Sequence, residues 1–370
     1  MKNIRKVNKL IWVMTVLFIL GLAGCSDDKP YSDYFTYSPI EYIGKVDSVS
    51  YLSGVNKVRL TWKVSTDPSV KSLEISWLED GGDKEMSVDV DENQIGEYMN
   101  VEITDLSAGS YTFFLVSSDG KGNSSVPVEL FASVLDPSYL DLIQPVLASG
   151  EYVDNSLIIT LSNEEEGYIG SEVFYTNTNN EEVSVLVDEE NAEFIIEDYK
   201  LGTGVTYLSN FNDPEVLGTL SSKETNLQVR LEFSKEEWIA SADYDEPSNR
   251  GSWNVIDANP STVWHMSKLM QYPHPLDIDM GTVQTVSGLT FLQRQDNINY
   301  GLVKLVEIQT GSDDVNWISQ KEVELPFTQD PISIPLEASV EARYLRIIFK
   351  SDYKGGDFTA ISEVGAYAIY

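Results

Sequence analysis

Beyond residue 25 no stretch of this chain carries a helical period; its apolar residues alternate in short runs punctuated by turn residues. Lys57-Val58-Arg59-Leu60-Thr61-Trp62 alternates in and out, and Ser72-Leu73-Glu74-Ile75-Ser76-Trp77 does so again. Asp136-Pro137 marks a boundary, after which Leu157-Ile158-Ile159-Thr160-Leu161 and Glu172-Val173-Phe174-Tyr175 read as further strands. A period of two places one face of each run on a core, so the chain is expected to be all-β. At 370 residues it is too long for one β-sandwich and suits two or three domains of roughly 100 residues each. Cys25 is the only cysteine, which leaves no intrachain disulfide and no thiolate metal site. Stability must come from packed cores, for which an apolar fraction of 42% suffices.

The first residues belong to targeting. Lys2, Arg5, Lys6 and Lys9 precede an apolar run from Leu10 to Leu20. That run is shorter than the ~20 residues a spanning helix needs, so 1–24 reads as a cleaved signal peptide. Leu22-Ala23-Gly24-Cys25 resembles the bacterial lipobox. The resemblance implies cleavage before Cys25 and acylation of its sulfur and new N-terminus, with palmitate-type chains gripping a membrane at ~0.8 kcal/mol per buried CH₂. Ser26-Asp27-Asp28 resembles the surface-export signal of Gram-negative glycan-foraging bacteria. It implies an outer-membrane, cell-surface lipoprotein, with outer-membrane uptake proteins as partners. Residues 25–40 form a tether. Without the four basic residues of the signal, 21 basic residues face 59 acidic ones. Such a field repels phosphate backbones, so nucleic acid is excluded as a partner.

Residues 41–135 form the first module. In Leu106-Ser107-Ala108-Gly109-Ser110-Tyr111, a Leu plugs the core, a Gly turns the chain and a Tyr begins the next strand, the tyrosine corner of sandwich domains. Asp119-Gly120-Lys121-Gly122-Asn123 is a hairpin turn before a last strand near 126–131. Together Gly44 to Val134 resembles a fibronectin type III sandwich with Trp62 at its core. Residues 136–235 read as a second, divergent β-sandwich, in which Glu197 to Tyr207 echoes that corner. The pair resembles an uncharacterised domain near the N-terminus of many exported lipoproteins, which implies a spacer role.

Residues 236–370 change character. Asn254-Val255-Ile256-Asp257-Ala258-Asn259-Pro260-Ser261-Thr262-Val263-Trp264 is followed by Leu276-Asp277-Ile278-Asp279-Met280-Gly281. Ser312-Asp313-Asp314-Val315-Asn316-Trp317, Arg343-Tyr344-Leu345-Arg346-Ile347 and Ile361-Ser362-Glu363-Val364 come later. These blocks resemble the coagulation-factor type C (discoidin) domain, in particular the bacterial family 32 carbohydrate-binding modules, over about 238–370. The resemblance implies a jelly-roll sandwich. It also implies a structural calcium held by oxygen donors: the Asp257 carboxylate, Thr262, main-chain oxygens of Asn254, Asn259 and Ser362, and Glu363. Ala258 departs from the glycine usual after the aspartate, where the backbone often turns.

The resemblance places saccharide recognition in loops at one end of the sandwich, where a sugar needs an apolar face and planar polar groups. It implies His265, directly after Trp264, and Arg294, opening Arg294-Gln295-Asp296-Asn297-Ile298-Asn299-Tyr300-Gly301, as hydroxyl partners; the alternatives are a satisfied structural histidine and a surface ion pair of Arg294 with Asp296. Asn299 stands one place earlier than the family asparagine. Lys268 occupies a position often aromatic, so stacking is expected from Tyr300, Tyr353 or Phe358. Trp253, Trp264 and Trp317 are read as core.

No catalytic pattern competes. His265 and His274 are the only histidines, and no Gly-x-Ser-x-Gly elbow, phosphate loop or His-rich metal motif is present. A glycosidase carboxylate pair needs a deep cleft that small sandwiches rarely enclose. The expectation is a non-catalytic surface lipoprotein binding glycans of galactose type. The alternative is an adhesion or scaffold lipoprotein whose discoidin-like domain binds a protein.

Overall fold

A computed structural model describes residues 42–79, 81–243, 249–266 and 271–370. The signal peptide, Cys25, the tether and Lys268 lie outside the described residues. The chain divides into two compact units, Met1–Asp136 and Pro137–Tyr370. Among the described residues the only helical segments are single 3-10 turns such as Pro137–Leu142, and no helix is long and apolar enough to cross a membrane.

The first unit holds β1 (Asp47–Gly54), β2 (Lys57–Lys63), β3 (Ser72–Glu79), β4 (Gly82–Asp89), β5 (Tyr98–Thr104), β6 (Gly109–Ser118) and β7 (Val128–Val134). One sheet runs β1-β2-β5 and the other β4-β3-β6-β7. Alternation explains their meeting: Val58, Leu60 and Trp62 of the first sheet share one core with Leu73, Ile75, Phe113 and Leu115 of the second. Trp62 is fully buried in it, and truncating such a residue costs about 3–5 kcal/mol. The Tyr111 hydroxyl donates to the Ser107 carbonyl at 2.8 Å, closing the corner over buried Leu106.

The second unit begins with β8 (Ala148–Val153), β9 (Ser156–Leu161), β10 (Tyr168–Thr176), β11 (Glu182–Asp188), β12 (Glu193–Ile196) and β13 (Val205–Asn212). Short strands β14 (Val216–Leu217), β15 (Thr219–Ser221), β16 (Thr225–Leu227) and β17 (Val229–Glu232) follow. One sheet has β11-β10-β13, with β15 and β16 both on β13; β12-β9-β8-β17 lies in the other. Leu157, Ile159, Val173, Tyr199, Tyr207 and Val229 fill the core. The echoed corner is wired differently from the first module's. Tyr199 donates to the Thr203 carbonyl, while Tyr207 reaches back to the Val146 carbonyl.

The remainder contains β18 (Ile239–Ala242), β19 (Trp264–His265), β20 (His274–Gln293), β21 (Val303–Gly311), β22 (Ile318–Glu324), β23 (Ile332–Asp352) and β24 (Ala360–Ile369). The order is β24-β20-β23-β21-β22, with β18 on β20 and β19 on β24. Register shifts between Asp279 and Gln284 and between Val286 and Gly288 interrupt the long β20–β23 pair, and such irregularities bend strands around a core. That core includes Trp264, Leu276, Ile278, Phe291, Ile308, Ile347, Phe349 and Val364. β17 pairs in parallel with β8 and antiparallel with β24. The expected 235/236 division therefore falls inside one unit, where a single sheet continues from the second module into the third.

Two tryptophans depart from expectation. Trp253 is 52% exposed and not core. The turn Ser252–Val255 buries Ser252, Asn254 and Val255, which turns Trp253 outward. Its ring lies over Gly251, where a Cβ would stand 2.0 Å from it. Trp317 is only partly buried, and the Arg346 guanidinium covers it at 4.1 Å.

Candidate functional site

The loop Arg294–Gly301 leaves β20 and returns to β21, and Gln293 pins its base. The buried Gln293 amide donates to the Val303 carbonyl at 2.7 Å and accepts from the Val303 N–H at 3.0 Å, mimicking a strand pair. Within the loop, Arg294 makes a forked pair with Asp296, Nε to Oδ1 and Nη2 to Oδ2, both at 2.8 Å. Its Nη1 donates to the Tyr300 carbonyl at 2.9 Å. A planar fork fixes two groups at once. Partial burial works to raise the Asp296 carboxyl, but the Arg294 hydrogen bonds and charge overcome it and hold it below the usual carboxylate range.

Gly301 follows with φ +79°, and a Cβ there would come within 2.6 Å of the Phe358 ring. Only glycine tolerates both the left-handed backbone and that approach. Phe358 packs on Tyr300 with ring centroids 4.8 Å apart and meets the His265 ring edge-on at 4.9 Å. The segment carrying Phe358 is anchored from behind. The Tyr272 hydroxyl donates to the Phe358 carbonyl at 2.9 Å and Thr359 donates to Tyr272, whose ring stacks on buried His274.

Five of the six expected saccharide residues thus fall on this loop and its surroundings: His265, Arg294, Asn299, Tyr300 and Phe358. Their exposure corrects their roles. His265 is 3% and Arg294 4% exposed, and Phe358 is buried, whereas Tyr300 is 45% exposed. Arg250 donates to His265 Nδ1 at 2.9 Å. Because arginine only donates, that nitrogen is the acceptor. The two residues expected to reach for hydroxyls form the floor: both are buried, and the Arg294 guanidinium spends its donors on Asp296 and Tyr300. The rim is Tyr300, the half-exposed Asp296 and Asn299, which is exposed and takes an Asx bond from its own N–H to Asn297. Tyr353 stands apart: its hydroxyl donates to the Leu325 carbonyl and its ring meets Phe327 at 5.1 Å. Arg250, Gln293 and Tyr272 were missed by sequence reasoning, because they lie outside the recognisable blocks and act only through tertiary contacts.

The second cluster joins the loop 254–262 to β24. Thr262 Oγ1 donates to Asp257 Oδ2 at 2.9 Å and lies 2.8 Å from the Asn259 carbonyl. Asn254 is buried, its amide donating to the carbonyls of Asn249 and Val263. Ala258 adopts φ +56°, a left-handed backbone that costs an L-residue about 1–2 kcal/mol. Glu363 faces Asp257. Burial is the main cause raising the Glu363 carboxyl; Lys235, ion-paired to Oε2, opposes it, and the Asp257 carboxylate adds to it. Glu363 Oε1 and the Ser362 hydroxyl are buried with no hydrogen-bond partner among the described residues. A buried carboxylate oxygen without a partner, facing a second carboxylate, is what a hard cation satisfies, so these residues fit calcium. Among the described residues no three His, Cys, Asp or Glu side chains gather as a metal cluster; hydroxyl and main-chain oxygens would complete the set.

Fold and site define the C-terminal region as an F5/8 type C, or discoidin, domain, whose family model matches residues 239–364. Residues 25–217, more than half of the chain, match DUF4998, a domain of unknown function, and the chain belongs to that family. Over 167 residues it is 29% identical to a galactose oxidase of Gibberella zeae, an alignment covering 42% of this chain and 24% of the relative. Over 135 residues it is 29% identical to a sialidase of Micromonospora viridifaciens, covering 34% and 20%. The chain thus spans about a quarter or less of the length of these curated relatives. Similar solved structures include the family 32 carbohydrate-binding module of Clostridium perfringens NanJ in complex with galactose, 20% identical, covering 38% of this chain and 99% of that one, TM-score 0.35. A Clostridium perfringens module in complex with GalNAc-β-1,3-galactose is 18% identical, covering 37% and 99%, TM-score 0.35.

Proposed function

We propose that this chain is a non-catalytic, lipid-anchored surface protein that binds galactose-type glycans through its discoidin domain. One observation carries the reading: Arg294 locks the exposed Asp296 carboxylate and the Tyr300 backbone into one rim over a floor of Phe358 and His265. The half-exposed Tyr300 ring offers the C–H face of a pyranose a platform, and ionised Asp296 accepts from its hydroxyls. Asn299 supplies a further planar amide. His265 and Arg294 position this rim and hold it rigid.

Calcium, when bound, supplies only fixed positive charge. Asp257, Thr262 and Glu363 would hold it through side chains, and Asn254, Asn259 and Ser362 through main-chain oxygens. Cys25 carries the lipid in this reading, and protease shaving of intact cells tests surface exposure. The ligand is tested by isothermal titration of galactose into the soluble chain lacking residues 1–25. Heat on galactose and none on glucose supports the reading; no heat with any hexose sinks it. Release of a chromophore from aryl glycosides would overturn the non-catalytic assignment.

A further inference from the structure

The two N-terminal modules differ in sequence yet open a recess at the same place on the same sheet. In the first, Ser76, Trp77 and Leu78 of β3 stand opposite Glu85, Lys84 and Asp83 of β4. In the second, Phe174, Tyr175 and Thr176 of β10 stand opposite Ser184, Val183 and Glu182 of β11. The next strand adds Phe114, opposite Ser76, in one module and Thr206, opposite Phe174, in the other. These residues line a shallow cavity of about 400 Å³ in the first module and about 490 Å³ in the second.

Each recess combines one outward phenylalanine, one inner aromatic and a set of carboxylates and hydroxyls. The phenylalanines exchange places across the strand pair: Phe114 stands on β6 where the second module has Thr206, and Phe174 on β10 where the first has Ser76. Outward positions of a solvated sheet are ordinarily polar. Here Phe114 is 38% exposed, with Leu78 and Phe131 more exposed on the same face. In the first recess Trp77 packs inward on the core, its ring 5.7 Å from that of Phe113. In the second, Thr206 donates to Glu224, and Tyr175 donates to Asp198 at 2.9 Å. Burial first, and then that bond, push the Tyr175 hydroxyl up to about 12, so it stays a proton donor.

We infer that these register-equivalent recesses are a repeated contact site for a neutral polysaccharide chain, so that the DUF4998 region binds ligand as well as spacing the discoidin domain from the membrane. A flat ring suits the C–H face of a sugar, and carboxylates with hydroxyls suit its hydroxyl groups. An anionic polymer meets repulsion from Glu85, Asp83, Glu182 and Glu224. A repeating ligand matches a repeated site, and each recess offers it a contact of its own. The inference rests on the glycan-binding reading of the discoidin domain for the choice of ligand class, and its test separates the two.

The probes are native gels containing galactomannan, arabinogalactan or xyloglucan, and titration with galactose, all on the soluble chain lacking residues 1–25. The expected result is that Phe114→Ala with Phe174→Ala weakens retardation by at least one polysaccharide about tenfold while galactose affinity and the melting temperature stay unchanged. Tyr300→Ala has the opposite expected signature: galactose binding is lost and a residual polysaccharide retardation persists. Retardation of the double variant equal to that of the unsubstituted chain overturns the inference, as does an absence of retardation in all three gels. Capture of poly-lysine, relieved by the double substitution, would overturn it too by assigning the recesses to a cation. Loss of galactose binding in the unsubstituted chain, with recess-dependent retardation intact, would instead remove the discoidin reading and leave the recesses standing.

Discussion

The two loop clusters of the discoidin domain are built from similar side chains and finished differently. Around Arg294 the network closes on itself: the guanidinium, the Asp296 carboxylate, the Tyr300 carbonyl and the His265 ring each have a protein partner. Around Glu363 it stays open: among the described residues its buried Oε1 has no hydrogen-bond partner, and the Asp257 carboxylate faces it. A closed network preorganises what lies above it, so recognition moves to the exposed rim. An open one is incomplete until a ligand supplies the missing charge.

The comparison breaks most visibly if the closed network is cut. Arg294→Ala leaves Asp296 half-buried and unpaired. We expect a loss of about 2 kcal/mol in chemical denaturation, below the 3–5 kcal/mol of a fully buried pair because Asp296 meets water, together with loss of detectable galactose binding. Arg294→Lys keeps the charge and loses the fork, so binding should still fail. The open network is sharpened by calcium. At a hundredfold excess over its dissociation constant the ion should stabilise the protein by about 2.7 kcal/mol. Melting curves with calcium and with EDTA read this directly, and Glu363→Gln should remove most of the shift. An equal shift in that variant would place the ion elsewhere.

Ala258 yields a smaller effect. Ala258→Gly relieves the left-handed strain but adds unfolded-state freedom of about 0.4–1 kcal/mol. The expected outcome is a net gain of about 0.5 kcal/mol, seen as a shifted urea midpoint.

A pH-dependent effect comes from a closed network on the sheet face. Glu307 accepts from Lys350 at 2.6 Å, Gln309 at 2.7 Å and Ser319 at 2.8 Å. The Lys350 bond foremost lowers its carboxyl from 4.5 to about 2. Because the folded value lies below the unfolded one, this stabilisation is complete above the unfolded value and fades as pH falls towards the folded one. The stability gap between the unsubstituted chain and Glu307→Gln should stay constant from about pH 8 to 5 and close between about pH 4.5 and 2.

What was legible in the sequence was local. Alternation in 57–62 and 72–77 announced Trp62 and Ile75 as core, and the spacing from Leu106 to Tyr111 announced a corner whose bond the structure shows. The Asp257–Trp264 block and the loop opening at Arg294 named residues that do converge. Burial was not legible: the Arg294–Asp296 pair could be named from its spacing, but not that its guanidinium lies buried, and Arg250 arrives from a segment with no recognisable pattern. The continuity of β17 with β24 joins residues far apart in sequence, and no local period encodes such a pairing. Trp253 misled because an aromatic among apolar neighbours reads as core, and only the turn around it decides which way it faces.

The most direct test is a crystal structure of the soluble chain soaked with galactose. The pyranose should lie across Tyr300, with its hydroxyls on Asp296 and with Arg294 and His265 unmoved beneath. A sugar seated elsewhere on the discoidin domain, or a rim that stays empty at saturating galactose, would contradict the account.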